Sequence, residues 1–243
     1  MSQLKIDYGD LRKTLERARR AAGRRKRRGG GAGTHRALRV ARFVAFWTAI
    51  AMLPLVLLVR GGVVAYRAWG LGTWPSLALA AVASATLLGL YAWWASTRLG
   101  AGPDRRRLVA RSAFGVGLAY ILYTLVFIAS ANVKSDDVRT EYRSMHPLLR
   151  IASSALILVD PAAVVTDAGR TPQDYRGMGL SPLEASLHFV QEDGYVHALD
   201  LRTNGRSELR NRMIQLTFWM LGFQTLRHVG TDDHLHVSLR LPG

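Results

Sequence analysis

The chain has 243 residues, 49% of them hydrophobic, a formal charge of +16 and no cysteine. Disulfides, thiolate metal sites and cysteine nucleophiles are excluded, so any metal must be held by His, Asp or Glu. Residues 1–42 carry 14 Lys/Arg against 3 acids, residues 97–112 carry 5 against 1, and residues 132–243 carry 12 against 13, so the C-terminal part lacks the basic footprint of a nucleic-acid binder.

The first segment, residues 1–42, is a basic tail in which Leu4, Tyr8, Leu11 and Leu15 recur at helical spacing before the flexible "GGGAGTH". Two readings stand: an amphipathic helix resting on anionic lipid, or a solvated tail that sets topology. Three apolar runs follow, at about 43–59, 77–96 and 112–131, none of them containing a charge. At 1.5 Å rise per residue each is long enough to cross all or most of a hydrocarbon layer ~30 Å thick, which predicts three transmembrane helices. No intramembrane charge marks a transport pathway. Ala85 with Gly89 and Gly115 with Ala119 offer small-residue faces through which helices two and three pack together or mediate a homo-oligomer.

Lys and Arg cluster before the first run and between the second and third, whereas only Arg60 and Arg67 lie between the first and second. By the positive-inside rule the N-terminus is cytoplasmic, and residues 132–243 form a domain on the outer side of a bacterial cytoplasmic membrane. Within it, "TEYRSMHPLLRIASSALILVD" reads as a helix, Val164 and Val165 as a strand and "DAGRT" as a turn. Asp193-Gly194 between two β-like halves reads as a hairpin turn that brings His188 near Ala198, so that Asp200 shares its face and His197 points away. Leu209, Met213, Leu216, Met220 and Leu221 line one face of an amphipathic helix, and "DHLHVSL" is a last strand. The expected fold is an α-helical membrane anchor plus a small α+β domain with a mostly antiparallel sheet.

Five of the seven histidines fall after residue 187, on segments that also carry Asp200 and Asp233. Two imidazoles and one carboxylate satisfy the three-ligand requirement of a catalytic zinc site. The motifs "DAGR" (167–170), "SLH" (186–188), "HALD" (197–200) and "DHLH" (233–236) occur in this order. In that order they resemble the LAS metallopeptidases, a family that includes D-Ala-D-Ala dipeptidases and carboxypeptidases, L-alanyl-D-glutamate endopeptidases and hedgehog-like domains. The resemblance covers roughly residues 145–241. Val196 stands where the family has glycine, Leu235 where it often has tryptophan, and the His188 to Asp200 interval is longer than usual.

The resemblance implies His188, Asp200 and His236 as ligands of Zn2+, Asp233 as the acid/base, and Arg170 as the group contacting the substrate carbonyl. His234 is the best remaining candidate for a substrate contact, and His197 and His228 read as structural. The implied function is a membrane-anchored zinc peptidase acting on peptidoglycan stem peptides or cross-bridges in the periplasm. A non-catalytic wall- or peptide-binding module of the same fold is the alternative. Expected partners are peptidoglycan peptides and membrane lipids, with no nucleic acid.

Overall fold

The computed structural model describes residues 8–100, 102–177, 179, 181, 185–230 and 233–243, with side chains for all of these except 8–12, 14, 15, 18 and 21–34. Leu4 and the side chains of Tyr8, Leu11 and Leu15, which would form the apolar stripe of the tail, lie outside what is described. The chain divides into two compact units, one ending at Met52 and one comprising Leu53–Gly243.

The first unit is the N-terminal part of helix α1 (Tyr8–Ala68), whose backbone stays helical through the glycines at 29–33 where the sequence reads as a flexible break. Phe43 and Phe46 are exposed and pack edge-on against Trp47.

The second unit begins with the end of α1 and continues through α2 (Thr73–Arg98) and α3 (Pro103–Val126). Three stretches, His35–Ala68, Thr73–Arg98 and Pro103–Val126, are long and apolar enough to cross a membrane by length and composition. They are the three runs expected, except that α3 ends at Val126 rather than near 131. Its termination has a local cause: Phe127 is extended, and the buried Arg150 guanidinium donates to the freed Leu125 carbonyl. α2 and α3 pack side by side, as expected, but not through the glycines singled out. Added Cβ atoms at Gly89 and Gly115 meet nothing within 4 Å, whereas one at Gly117 would touch Leu88 at 3.7 Å.

Beyond α3 come the short helix α4 (Asp136–Glu141), capped by Ser135, and α5 (Pro147–Val159). Pro147 suits the first turn of α5 because its missing N–H would have been unsatisfied there. Strand β1 (Val165–Asp167), helix α6 (Pro172–Gly177), strand β2 (Ala198–Arg202), helix α7 (Glu208–Met220) and strands β3 (Gln224–His228) and β4 (His234–Ser238) complete the chain. The four strands form one antiparallel sheet in the order β1-β2-β4-β3.

Alternation along β2 and β4 splits the sheet into two faces. Leu199, Leu201, Leu235 and Val237 point into the core, which also holds Ile214 and Phe218 of α7. Asp200, His234 and His236 occupy the opposite face. The same core contains Val59, Val63 and Tyr66 of α1, Leu77 and Ala80 of α2, and Leu125 of α3, so residue 132 is not a packing boundary. Gly62 permits the closest approach: a Cβ there would lie 2.6 Å from Leu148 Cδ2 on α5. Gly222, with φ +98°, ends α7 against Val63, where a Cβ would fall 3.0 Å from Cγ1.

α7 corrects the sequence expectation. The residues it buries are Asn211, Ile214 and Phe218; of the five read from periodicity as one apolar face, Leu209, Met213, Leu216 and Met220 are exposed and only Leu221, at the C-cap, is buried. At 3.6 residues per turn these two sets lie on opposite sides of the helix.

Candidate metal centre

The β2–β4 register sets Asp200 directly opposite His236 on the open face of the sheet. His188 reaches them from the turn that leads into the Asp193-Gly194 hairpin. Ser186 builds that turn: its Oγ accepts from the His188 backbone N–H at 3.3 Å and bonds Tyr175 Oη at 2.7 Å. The neighbouring chain is pinned by Arg170 N–H donating to the His188 carbonyl and His197 N–H to the Leu187 carbonyl, each at 2.9 Å. Next to the Asp193-Gly194 turn Val190 pairs with Val196, as the hairpin predicts, but the bond from His197 to Leu187 rather than Phe189 shows that the pairing shifts at the 186–189 turn before His188 comes opposite Ala198; His197 still faces the other side.

His188 Nε2, His236 Nδ1 and Asp200 Oδ1 converge, with separations of 3.2, 2.9 and 3.5 Å. A triangle with these edges has a circumradius of about 1.9 Å, so a point exists about 2.0–2.1 Å from all three atoms, the bond length of a divalent metal to nitrogen and carboxylate oxygen. The tautomer also fits. His188 Nδ1 lies 2.6 Å from the Ala168 carbonyl, an acceptor only, so the proton sits on Nδ1 and the Nε2 lone pair faces the cluster. A metal here would displace the proton through which His236 Nδ1 bonds Asp200, so its binding would be coupled to pH.

Asp200 is buried, which alone would raise its pKa; the hydrogen bond from His236 and the charge of Arg170 outweigh burial and hold it well below the usual carboxylate range. Arg170 Nη2 donates to Asp200 Oδ2 at 2.6 Å and its Nε to Asp167 Oδ2 at 2.7 Å. Arg170 thus fixes the outer oxygen of Asp200 and leaves Oδ1 to the cluster.

Asp233 is engaged elsewhere. Its carboxylate accepts from Thr203 Oγ1 at 2.6 Å and from Arg227 Nη2 at 2.9 Å, two groups at the far side of the strand from His236. His234 Nε2, in contrast, lies 3.8 Å from Asp200 Oδ2, and its ring stacks on His228 with centroids 4.5 Å apart. Burial and the adjacent His234 lower the His228 pKa. Of the six residues singled out from sequence, five, namely His188, Asp200, His236, Arg170 and His234, gather on one sheet face; Asp233 does not join them.

A second group, His146, Asp193 and His197, also meets the spacing needed to hold a metal. His197 Nε2 lies 3.0 Å from both oxygens of Asp193. Asp193 further accepts from Tyr66 Oη at 3.1 Å, Thr73 Oγ1 at 2.8 Å and the Tyr195 N–H at 3.1 Å. The tautomer of His146 opposes a metal here. His146 Nδ1 accepts the Leu148 N–H at 3.2 Å as the cap of α5, which puts the ring proton on Nε2, the nitrogen that would have to ligate. Burial and then the neighbouring His197 push the His146 imidazole down to about 3. Asp193 closes this group as a structural junction to α1 and α2. Sequence reading treated Asp193 only as a turn residue; the signal was His146 directly before Pro147, a cap position, together with the outward parity of His197.

No family model, curated protein or solved structure matches the chain.

Proposed function

We propose that the chain is a membrane-anchored zinc peptidase that hydrolyses peptide bonds in peptidoglycan stem peptides or cross-bridges on the outer side of a bacterial cytoplasmic membrane. One observation carries this reading: His188 Nε2, His236 Nδ1 and Asp200 Oδ1 sit at metal-ligand spacing with the His188 tautomer already set. A donor set of two imidazoles and one carboxylate, with one tetrahedral position left open, suits catalytic zinc. The resemblance of "DAGR", "SLH", "HALD" and "DHLH" to the LAS metallopeptidases supports the reaction class. Basic flanks supply the topology, and a tethered outer domain has the wall as its nearest peptide polymer.

Zinc supplies Lewis acidity, lowering the pKa of water and polarising a carbonyl. The chain's own residues supply the rest. Asp200 and the two histidines would hold the ion, and Arg170 steadies Asp200 and would present charge to a carbonyl oxygen turning negative during attack. A general base must come within about 3 Å of the proton it takes. That favours His234 over Asp233, whose carboxylate is committed to Arg227 and Thr203.

The test is muropeptide release from purified peptidoglycan by the full chain in lipid nanodiscs. His234→Ala is expected to abolish release while keeping the metal, and Asp233→Ala to keep both but lower thermal stability by about 1–3 kcal/mol through the unpaired arginine. Loss of release in Asp233→Ala at unchanged metal content would return the acid/base role to Asp233. The second reading, a non-catalytic peptide-binding module, is favoured by the engagement of Asp233; it requires metal-bound wild-type protein to retain peptidoglycan fragments without cleaving them.

A further inference from the structure

We infer that α7 is an interfacial helix whose outer apolar face rests on the outer-leaflet surface of the same bilayer. This rests on the reading of the three apolar helices as membrane spans. Leu209 is 73% exposed, Met213 56%, Leu216 46% and Met220 54%, a stripe at spacings of four, three and four on the side opposite to Ile214 and Phe218. A helix apolar on two opposite sides has two partners, and the sheet provides only one.

The occupant follows from how the ends of α7 are held. At its C-terminus, Arg60 Nη1 donates to the Met220 carbonyl at 2.7 Å, and Trp219 and Met220 line a groove with Val56 and Arg60 of α1, inside the apolar stretch His35–Ala68. Arg60 is the first charge after the uncharged run of residues 43–59, a run whose length suits a hydrocarbon layer ~30 Å thick, so on this reading Arg60 marks its edge. At its N-terminus, Arg206 and Arg210 pair with Asp160 at the end of α5. α5 itself runs from Gly62 of α1, touched by Leu148, to the outer end of α3, where Tyr142 links Thr124 to Ser154 and Arg150 holds Leu125. The C-terminal end of α7 is therefore tied directly to α1 and its N-terminal end to the far end of α5, which itself packs on α1 and α3, so on this reading its axis lies along the bilayer surface.

The chemistry of the exposed side is interfacial: a continuous aliphatic and methionine stripe flanked by Trp219, which is 64% exposed, and by Arg210 and Arg212. Leu158 and Val159 are exposed at the end of α5 to which α7 is tied. The sheet lies between α7 and the His188–Asp200–His236 cluster, so this seat turns the cluster away from lipid and toward the wall.

Because the chain contains no cysteine, single cysteines at Met213→Cys and Leu216→Cys can be spin-labelled in full-length protein reconstituted in phosphatidylglycerol-containing vesicles. Leu90→Cys in α2 serves as the lipid reference and Gln173→Cys in α6 as the aqueous one. The expected result is higher accessibility to oxygen than to a water-soluble nickel complex at 213 and 216, as at 90 and opposite to 173. An aqueous signature at 213 and 216 with a lipid signature at 90 overturns the inference alone; an aqueous signature at 90 as well overturns it together with the membrane reading. Spin–spin broadening at 213 that vanishes on dilution with unlabelled protein would assign the face to a second copy and equally overturn the inference.

Discussion

At His188 the nitrogen facing the Ala168 carbonyl must carry the proton, whereas at His146 the corresponding nitrogen accepts the Leu148 N–H, and this difference assigns the two histidine groups to different work. The first is free to ligate; the second closes a helix cap and a junction to the apolar helices α1 and α2. The buried His146 has a folded-state value of about 3 against an ordinary 6.5, so the unfolded chain binds a proton that the folded chain refuses. Stability is then fully present above pH 6.5 and falls as pH drops toward 3, by up to about 1.4 kcal/mol per pH unit from this group. His146→Asn keeps a capping acceptor and removes the titration, so its unfolding midpoint in detergent should flatten across that window; an unchanged slope contradicts the assignment. At this scale the sequence was informative about the convergence of His188, Asp200 and His236, because they are placed by local turn chemistry and strand parity. It was not informative about Asp233, whose orientation depends on Arg227 and Thr203, two partners brought close only by the folded sheet.

Among the elements, Gly62 and α7 carry the most information. Gly62 lets α1 and α5 touch, and Gly62→Ala should cost about 1–3 kcal/mol through overpacking against Leu148. Gly61→Ala, whose Cβ would meet only Leu57 at 3.7 Å and Ala80 at 3.9 Å, should be neutral or slightly stabilising. Equal thermal stabilities for the two variants in the same detergent would remove the close-packing account. The apolar stripe of α7 was visible in the sequence as a 3.6-residue period, and the helix is there. Periodicity reports that a face is apolar without saying what covers it: Leu209, Met213, Leu216 and Met220 do share one face, but the core takes Ile214, Phe218 and Leu221. The interfacial helix inferred above is the other solution to the same pattern.

For the whole molecule, the consequence of the shared core is that the C-terminal domain and the ends of the three apolar helices stand or fall together. Removing residues 53–131 strips Val59, Val63, Tyr66, Leu77, Ala80 and Leu125 from the cluster that includes Leu148, Ile151 and Phe218. It also leaves Asp193 without Tyr66 and Thr73. A fragment 132–243 is therefore expected to aggregate or to lack a cooperative unfolding transition, while a chain from Leu53 onward retains one in detergent; a cooperatively folded 132–243 fragment would contradict the shared core. Hydropathy alone locates three apolar helices and places a domain after them. It cannot show that their outer ends form part of that domain's interior, because a residue buried in protein and one buried in lipid have the same composition. The central claim remains the metal centre, and X-ray absorption spectroscopy on intact protein in nanodiscs tests it most directly. The account predicts one zinc per chain, bound by two imidazole nitrogens and by oxygen at about 2.0–2.1 Å. It predicts loss of the metal in His188→Ala and His236→Ala, and retention in His146→Asn. Protein that holds no stoichiometric metal, or that keeps it in His188→Ala and loses it in His146→Asn, would contradict the account.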